Sequence, residues 1–346
     1  MRGLRMHLTP FAPDQSGATS VLFELGGIIC IVDAGGCTGN VCGFDEPRWQ
    51  TTRSAVFSAG LRDMDAIMGR DDKLIAELAD AATKIEANFA ALIGTPVPAV
   101  IGTDYKALER MAKRKCGLET IAIDANGCEL YDRGAEKATT ALFRRFATER
   151  FEVQEGRIGV LGTNPLDLSV TSAQEIFDLV DGAVCYGMGS TFDDVVRASS
   201  AEKNLVVANS GLAAARLLER RFETPYEIGD PRAKRYAKEI AKSHDLAGKR
   251  VLVISGQITA NSIADELLSF GVTDTTVATW FAFDKDLARP QDVRLEEEDD
   301  LLGLVRDGSF DLVVGDERQF AIFTDIYDGE TYDLPQFALS GRLQEV

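Results

Sequence analysis

Two cysteines five positions apart, Cys37 and Cys42, stand in the run Asp33-Ala34-Gly35-Gly36-Cys37-Thr38-Gly39-Asn40-Val41-Cys42-Gly43. Cysteine thiolates ligate iron–sulfur clusters, and a closed cubane site takes about four of them. One loop with two thiols cannot complete such a site. Two copies facing each other across a two-fold axis could, because that symmetry repeats one patch on both subunits. The other reading is that these cysteines are small residues filling a tight turn, and residue types alone leave both open. Gly35, Gly36 and Gly39 allow positive φ and close approach of a cofactor to the backbone, with Asn40 beside them. Asp45, Glu46 and Arg48 come next, ahead of Trp49. An arginine flanked by acids directly after such a loop could bind substrate, or could anchor the loop by ion pairing and packing.

The remaining chemistry-bearing residues are sparse. Cys30 and Cys185 lie in apolar runs and read as buried small hydrophobes. Cys116 follows Lys113, Arg114 and Lys115, whose charge would lower a thiol pKa, yet it reads first as a surface residue without a role; Cys128, in a loop after an expected strand, is a further candidate ligand but reads first as a loop cysteine without a role. There are only two histidines, His7 and His244. That argues against histidine-based metal sites and Ser/His/Asp chemistry. The acidic run Glu296–Asp300 suits a helix start. No Gly-x-Gly-x-x-Gly follows a strand at dinucleotide-binding spacing, and no phosphate loop ending in Gly-Lys-Ser/Thr is present.

A net charge of −18 argues against nucleic acid and anionic membrane surfaces as partners. No apolar run reaches the roughly 20 residues of a membrane helix. The N-terminal stretch has no apolar core of a signal peptide. The expected location is the cytoplasm.

These residues need elements to position them. The apolar run Ile28–Val32 predicts a buried parallel strand, and open α/β sheets place ligands at the carboxyl ends of such strands. Helical periodicity predicts a helix over 71–91 carrying Leu74, Leu78, Ala81, Ile85 and Phe89. The segment Thr95–Tyr105 reads as a strand with two prolines. Strand–loop–helix alternation recurs to the end of the chain, predicting α/β architecture with parallel sheets covered by helices. Three units, over residues 1–150, 151–230 and 231–346, read as successive Rossmann-like, doubly wound domains.

The order Asp33–Asn40, then the run 56–82, then Pro96–Leu108 resembles the nitrogenase component 1 superfamily, as do Gly156–Gly162, Thr224–Pro231, Ala247–Gly256 and Phe310–Ile322. In that family a glycine-rich turn ending in cysteine supplies a cluster ligand, and Cys37 matches that position. The resemblance implies a redox subunit with an iron–sulfur cluster, of the 4Fe-4S kind, shared between two subunits through Cys37 and Cys42. It implies a homodimer or a paralogous component 1-like partner, an ATP-dependent iron–sulfur reductase as electron donor, and a small-molecule substrate between domains. Departures matter. Where the nitrogenase subunits carry two further cluster cysteines, this chain has the Pro10–Phe11 region and Pro96. Where the larger nitrogenase subunit carries its cofactor cysteine, this chain reads Leu205-Val206-Val207-Ala208-Asn209-Ser210-Gly211. An iron–molybdenum cofactor, and nitrogen fixation with it, are therefore not expected. The alternative from another class is a non-catalytic scaffold or carrier for a metallocofactor or tetrapyrrole. A periplasmic-type small-molecule binder is disfavoured by the missing export signal.

Overall fold

The structure is a computed structural model that describes residues 5–69, 71–167 and 172–342. Residues 1–4 and 343–346, at the outer ends of the first and third expected domains, lie outside the described residues. The described strands form three sheets in which every ladder is parallel. The first comprises β1 (Ile28–Ile31), β2 (Ala55–Ser58), β3 (Ala90–Ile93) and β4 (Thr120–Ile123), in the order β2-β1-β3-β4. The second comprises β5 (Gln154–Leu161), β6 (Ala183–Cys185), β7 (Ala201–Val206) and β8 (Tyr226–Ile228), in the order β6-β5-β7-β8. The third adds β9 (Arg250–Ile254), β10 (Asp274–Thr279), β11 (Val293–Arg294), β12 (Leu312–Gly315) and β13 (Glu330–Asp333), in the order β11-β10-β9-β12-β13.

Side chains alternate across a strand, so a continuous apolar strand must be covered on both faces. In the first sheet Ile29, Ile31, Ala91 and Ile93 face the helices Asp14–Leu22 and Tyr131–Phe146. Ile28, Cys30, Ala90 and Leu92 face the helices Asp71–Lys84 and Tyr105–Cys116. The first of these cores continues into the second sheet through Leu161, Val206, Ala214 and Leu218. Helices Asp14–Leu22 and Tyr131–Phe146 approach so closely that a Cβ on Gly17 would lie 1.8 Å from the Tyr131 carbonyl oxygen, and one on Gly134 1.7 Å from that of Asp14. No helix among the described residues is long and apolar enough to cross a membrane.

Two expectations about local structure need correction. The segment with two prolines is a helix, Pro96–Ile101, not a strand; the strand is the preceding Ala90–Ile93. Proline at the first helical position loses no hydrogen bond there, and Gly102 closes the helix at φ 70°. The helix expected over 71–91 ends at Lys84. Phe89 belongs instead to the entry into β3, where it stacks on Phe192 at 5.4 Å. A helical period cannot distinguish a buried residue just past a helix from one on its face.

Candidate metal centre

Strand β1 delivers the chain to the carboxyl edge of the first sheet, and Asp33 there sets the shape of the thiol-bearing turn. Its carboxylate is 1% exposed. It accepts from the Thr38 backbone N–H at 2.8 Å, the Thr38 hydroxyl at 3.0 Å and the Ser58 hydroxyl at 2.6 Å. Gly35 turns the chain at φ 111°, in the left-handed region where a side chain is strained. The loop then becomes a short helix, Gly36–Asn40, running into a π-helical turn, Val41–Asp45. Cys37 lies on the first and Cys42 on the second. Val41 between them is fully buried and fastens the turn to the core.

Both thiols are free and half-buried. Burial, then the negative charge of Asp33, pushes the Cys37 thiol above its ordinary range, and the Thr95 hydroxyl beside it pulls the other way. Burial, then Glu46 and Asp33, does the same to Cys42. Metal-free, both are therefore protonated at neutral pH, and a bound iron would have to displace those protons. Among the described residues no group of three or more His, Cys, Asp or Glu side chains is arranged to hold a metal ion. On this turn one chain supplies two thiols, half the number that a closed four-thiolate site takes.

A Cβ on Gly36, Gly39 or Gly43 would meet nothing within 4 Å. The fold itself does not require small residues there, and the space outside them is open to a ligand or a partner. Asn40 is exposed beside them. Exposed apolar side chains gather on the same carboxyl edge. Phe44 follows β1, Met64 and Met68 follow β2, and Val97, Val100 and Ile101 follow β3. Phe44 is 76% and Val100 86% exposed.

The charged residues after the loop point inward. Glu46 and Arg48 are buried. Arg48 donates from Nε and Nη2 to the two Glu46 oxygens at 2.8 and 2.9 Å, and from Nη1 to Glu24 at 2.8 Å and the Gly187 carbonyl at 3.3 Å. Its last donor reaches the Ser20 carbonyl at 2.7 Å. All five guanidinium N–H groups thus have acceptors within the fold, which is the geometry of an anchor. Glu24 also accepts from the Gly189 backbone at 2.7 Å, tying the first sheet to the second. Asp45, half-buried, accepts from the Ser16 hydroxyl at 2.7 Å. Trp49 packs against Phe23 at 5.9 Å.

The other cysteines differ among themselves. Burial pushes Cys30 and Cys185 up to about 12, as expected of small core residues. Cys116 does not have the lowered pKa expected from its lysines: burial outweighs Lys115 and raises it, because the sulfur packs into the core beneath its helix. Cys128 is exposed, in a turn whose Gly127 abuts Pro96.

Sequence reasoning did not single out a second polar centre, where the second sheet meets its neighbours. Asp167, half-buried, pairs with the Tyr131 hydroxyl of the first unit, and Gln336 of the third donates to that hydroxyl at 3.4 Å. Burial raises Asp167 to about 7, against the lowering effects of Tyr131 and Arg232. Arg232 and Asp230 form a buried bidentate pair at 2.9 and 2.8 Å. The signal available was polar residues in proline turns directly after strands, at Thr163–Pro165 and Asp230–Arg232.

The family model for nitrogenase component 1 type oxidoreductases matches residues 16–231. Over 180 residues the chain is 26% identical to the nitrogenase iron-molybdenum cofactor biosynthesis protein NifE of Clostridium pasteurianum, a match covering 49% of this chain and 38% of that protein. The chain therefore aligns with about two fifths of that relative's length. Its fold is that of nitrogenase Cp1: the structure at pH 6.5 superposes with a TM-score of 0.72 at 11% identity, over 96% of this chain and 87% of the other. The structure at pH 5 gives 0.67 at 17% identity, over 96% and 85%. The family match runs from the first helix through the whole of the second sheet, well over half of the chain, and the protein belongs to the nitrogenase component 1 type oxidoreductase family.

Proposed function

We propose that the chain is one half of a nitrogenase component 1-type redox assembly in the cytoplasm. Cys37 and Cys42 hold an iron–sulfur cluster, of the 4Fe-4S kind, together with the same two residues of a second copy or of a paralogous subunit. The observation that carries this reading is the pair of free, half-buried thiols on one turn, with open space beside Gly36 and Gly39 and an exposed apolar rim around them. Such a rim favours a partner surface, since large contiguous apolar patches are uncommon on monomers. The cluster would supply one-electron storage, fed by a separate ATP-dependent iron–sulfur reductase. The chain's own part is to position the thiols through Asp33 and Val41, exclude water by closing the apolar rim, and hold a small substrate between the domains. Glu46 and Arg48 serve this by keeping the loop docked against the second sheet.

Anaerobic purification followed by iron and sulfide analysis tests the proposal. About four of each per dimer, lost in Cys37→Ala and in Cys42→Ala, is the expected result. Iron-free protein after anaerobic reconstitution would sink it. The similarity to a cofactor biosynthesis protein favours a second reading, a scaffold that carries a metallocofactor or tetrapyrrole without turning over substrate. A cluster-loaded protein that releases its cofactor to an acceptor protein, and oxidises no reduced donor, would select that reading.

A further inference from the structure

Residues 5–13, ahead of the first helix, form a strap that crosses from the third unit to the first. The Glu298 carboxylate holds the backbone of the strap, accepting from the N–H groups of Met6, His7 and Leu8 at 2.8, 3.0 and 2.8 Å. Leu8 and Phe11 then insert beside Trp280 and Phe281 in a core of the third unit. At the far end the Ala12 carbonyl accepts from the Tyr131 backbone N–H at 2.9 Å, and Pro13 bridges Leu130. The turn after β4 is tied down as well: the buried Asp14 carboxylate accepts from the Asn126 and Gly127 backbones at 2.8 and 2.7 Å. Between strap and turn lies a cleft of about 440 Å³, walled by Pro10, Phe11, Pro13 and Leu130, with Arg5 and Cys128 also lining it. The Arg5 guanidinium stacks on the Phe11 ring at 3.9 Å and donates from Nη1 to the Thr9 carbonyl at 3.2 Å. Among the described residues it has no ion pair, and partial burial lowers its pKa against the pull of Glu298. Glu129, which also lines the cleft, is paired with Lys137, and Glu298 is occupied by the strap backbone. Arg5 is therefore the uncompensated charge of the cleft.

We propose that this cleft binds a small organic anion, its carboxylate or phosphate group bonded by the Arg5 guanidinium and its apolar body lying against Pro10, Pro13 and Leu130. The volume falls in the range of small-molecule sites, about 300–1,000 Å³, and such sites pair mostly apolar walls with a few polar groups that orient the ligand. A guanidinium presents parallel N–H donors that match a carboxylate or phosphate, and these charge-assisted bonds are the strong ones. Stacking on Phe11 uses the face of the guanidinium and leaves its edge for the ligand. The net charge of −18 repels anions at long range, but physiological salt screens that repulsion beyond about 8 Å, so the contact with Arg5 decides. Both walls are fixed by backbone hydrogen bonds before any ligand arrives, which lowers the cost of binding. The site does not depend on a cluster at Cys37 and Cys42.

Cys128, exposed and lining the cleft, reports on its occupancy. The test follows alkylation of that thiol by iodoacetamide in the full-length protein, read by peptide mass spectrometry, as benzoate or phenyl phosphate is added at constant ionic strength. At least one of the two should slow the reaction saturably, and which one does so tells carboxylate from phosphate as the source. Half-buried Cys116 should react at an unchanged rate. Benzyl alcohol, with the same ring and no charge, should protect roughly tenfold more weakly or not at all, the equivalent of one lost charge-assisted hydrogen bond. Arg5→Gln should weaken protection by the anion to the same extent, and Arg5→Lys should retain part of it. The Arg5 side chain is exposed, so both variants should fold, which circular dichroism checks. No saturable protection by either anion, equal protection by benzyl alcohol, or wild-type protection in Arg5→Gln overturns the proposal.

Discussion

Asp33 holds Thr38 by two hydrogen bonds, through its backbone N–H at 2.8 Å and its hydroxyl at 3.0 Å, and so fixes the residue next to Cys37 to the end of β1. Replacing Asp33 by Ala strands the Thr38 and Ser58 donors. The metal-free protein should lose about 1–3 kcal/mol of stability, read as a lower urea midpoint, and Cys37 should become more accessible to alkylation. An unchanged midpoint would mean that the turn holds itself.

Arg48 neutralises two acids at once. Arg48→Met leaves Glu46 buried and unpaired, and should destabilise the fold by about 3–5 kcal/mol. Arg48→Met combined with Glu46→Gln should recover part of that loss, because the unpaired buried charge is then gone. Chemical denaturation of the single and double variants checks both statements. A double variant as unstable as the single one contradicts the anchor role.

Glycines in this chain fall into two kinds, and the contrast is measurable. Gly134→Ala drives a methyl group onto the Asp14 carbonyl, so the helices must separate and soluble yield or melting temperature should fall sharply. Gly39→Ala meets nothing within 4 Å and favours helix, so the melting temperature of the metal-free protein should stay within a degree or two of wild type, the shift expected from well under 1 kcal/mol.

Asp167 predicts a pH dependence. Its folded-state carboxyl holds a proton up to about 7, while in the unfolded chain it releases it near its ordinary 3.8. Between those values the folded state binds the extra proton. That contribution is fully present below the unfolded value and is lost as pH rises through the folded one, at up to about 1.4 kcal/mol per pH unit. Asp14 and Asp132 are raised in the same direction by burial. Urea midpoints from pH 4 to 8 should therefore fall with pH in wild type and fall less in Asp167→Asn. Parallel curves would contradict the assignment.

The apolar rim should behave as an interface. Val100→Asp, placed on an 86% exposed side chain, should leave the monomer folded while shifting sedimentation toward the monomer and lowering iron retention. Dimers and iron retained at the wild-type level would show that the subunits meet elsewhere.

The thiol turn was legible in the sequence because its signals are local. An apolar run ending in an acid, then glycines and cysteines, describes a strand end and a tight loop whatever the rest of the chain does. The three parallel sheets were legible for the same reason, since period and punctuation repeat along the chain. Four short edge strands, β2, β8, β11 and β13, were not legible, because they carry too few buried residues to show a pattern.

What only the tertiary structure decided concerns partners distant in sequence. Arg48 and Glu46 could have faced substrate or the fold, and the acceptors that occupy them, Glu24, Ser20 and Gly187, lie up to 139 residues away. The basic residues before Cys116 would by themselves lower its thiol pKa, but burial against the helix's own core outweighs their charge. Thr163, Asn164, Asp167 and Arg232 look like ordinary turn residues in the sequence. Their unsatisfied donors and shifted acid arise only when separate sheets close over them and exclude water, which makes every unpaired polar atom there matter. The sequence by itself determined the family, the sheets and the thiol-bearing turn. Desolvation, which exists only once the chain has folded, decided which charged residues serve as anchors and which are left with bonding capacity to spare.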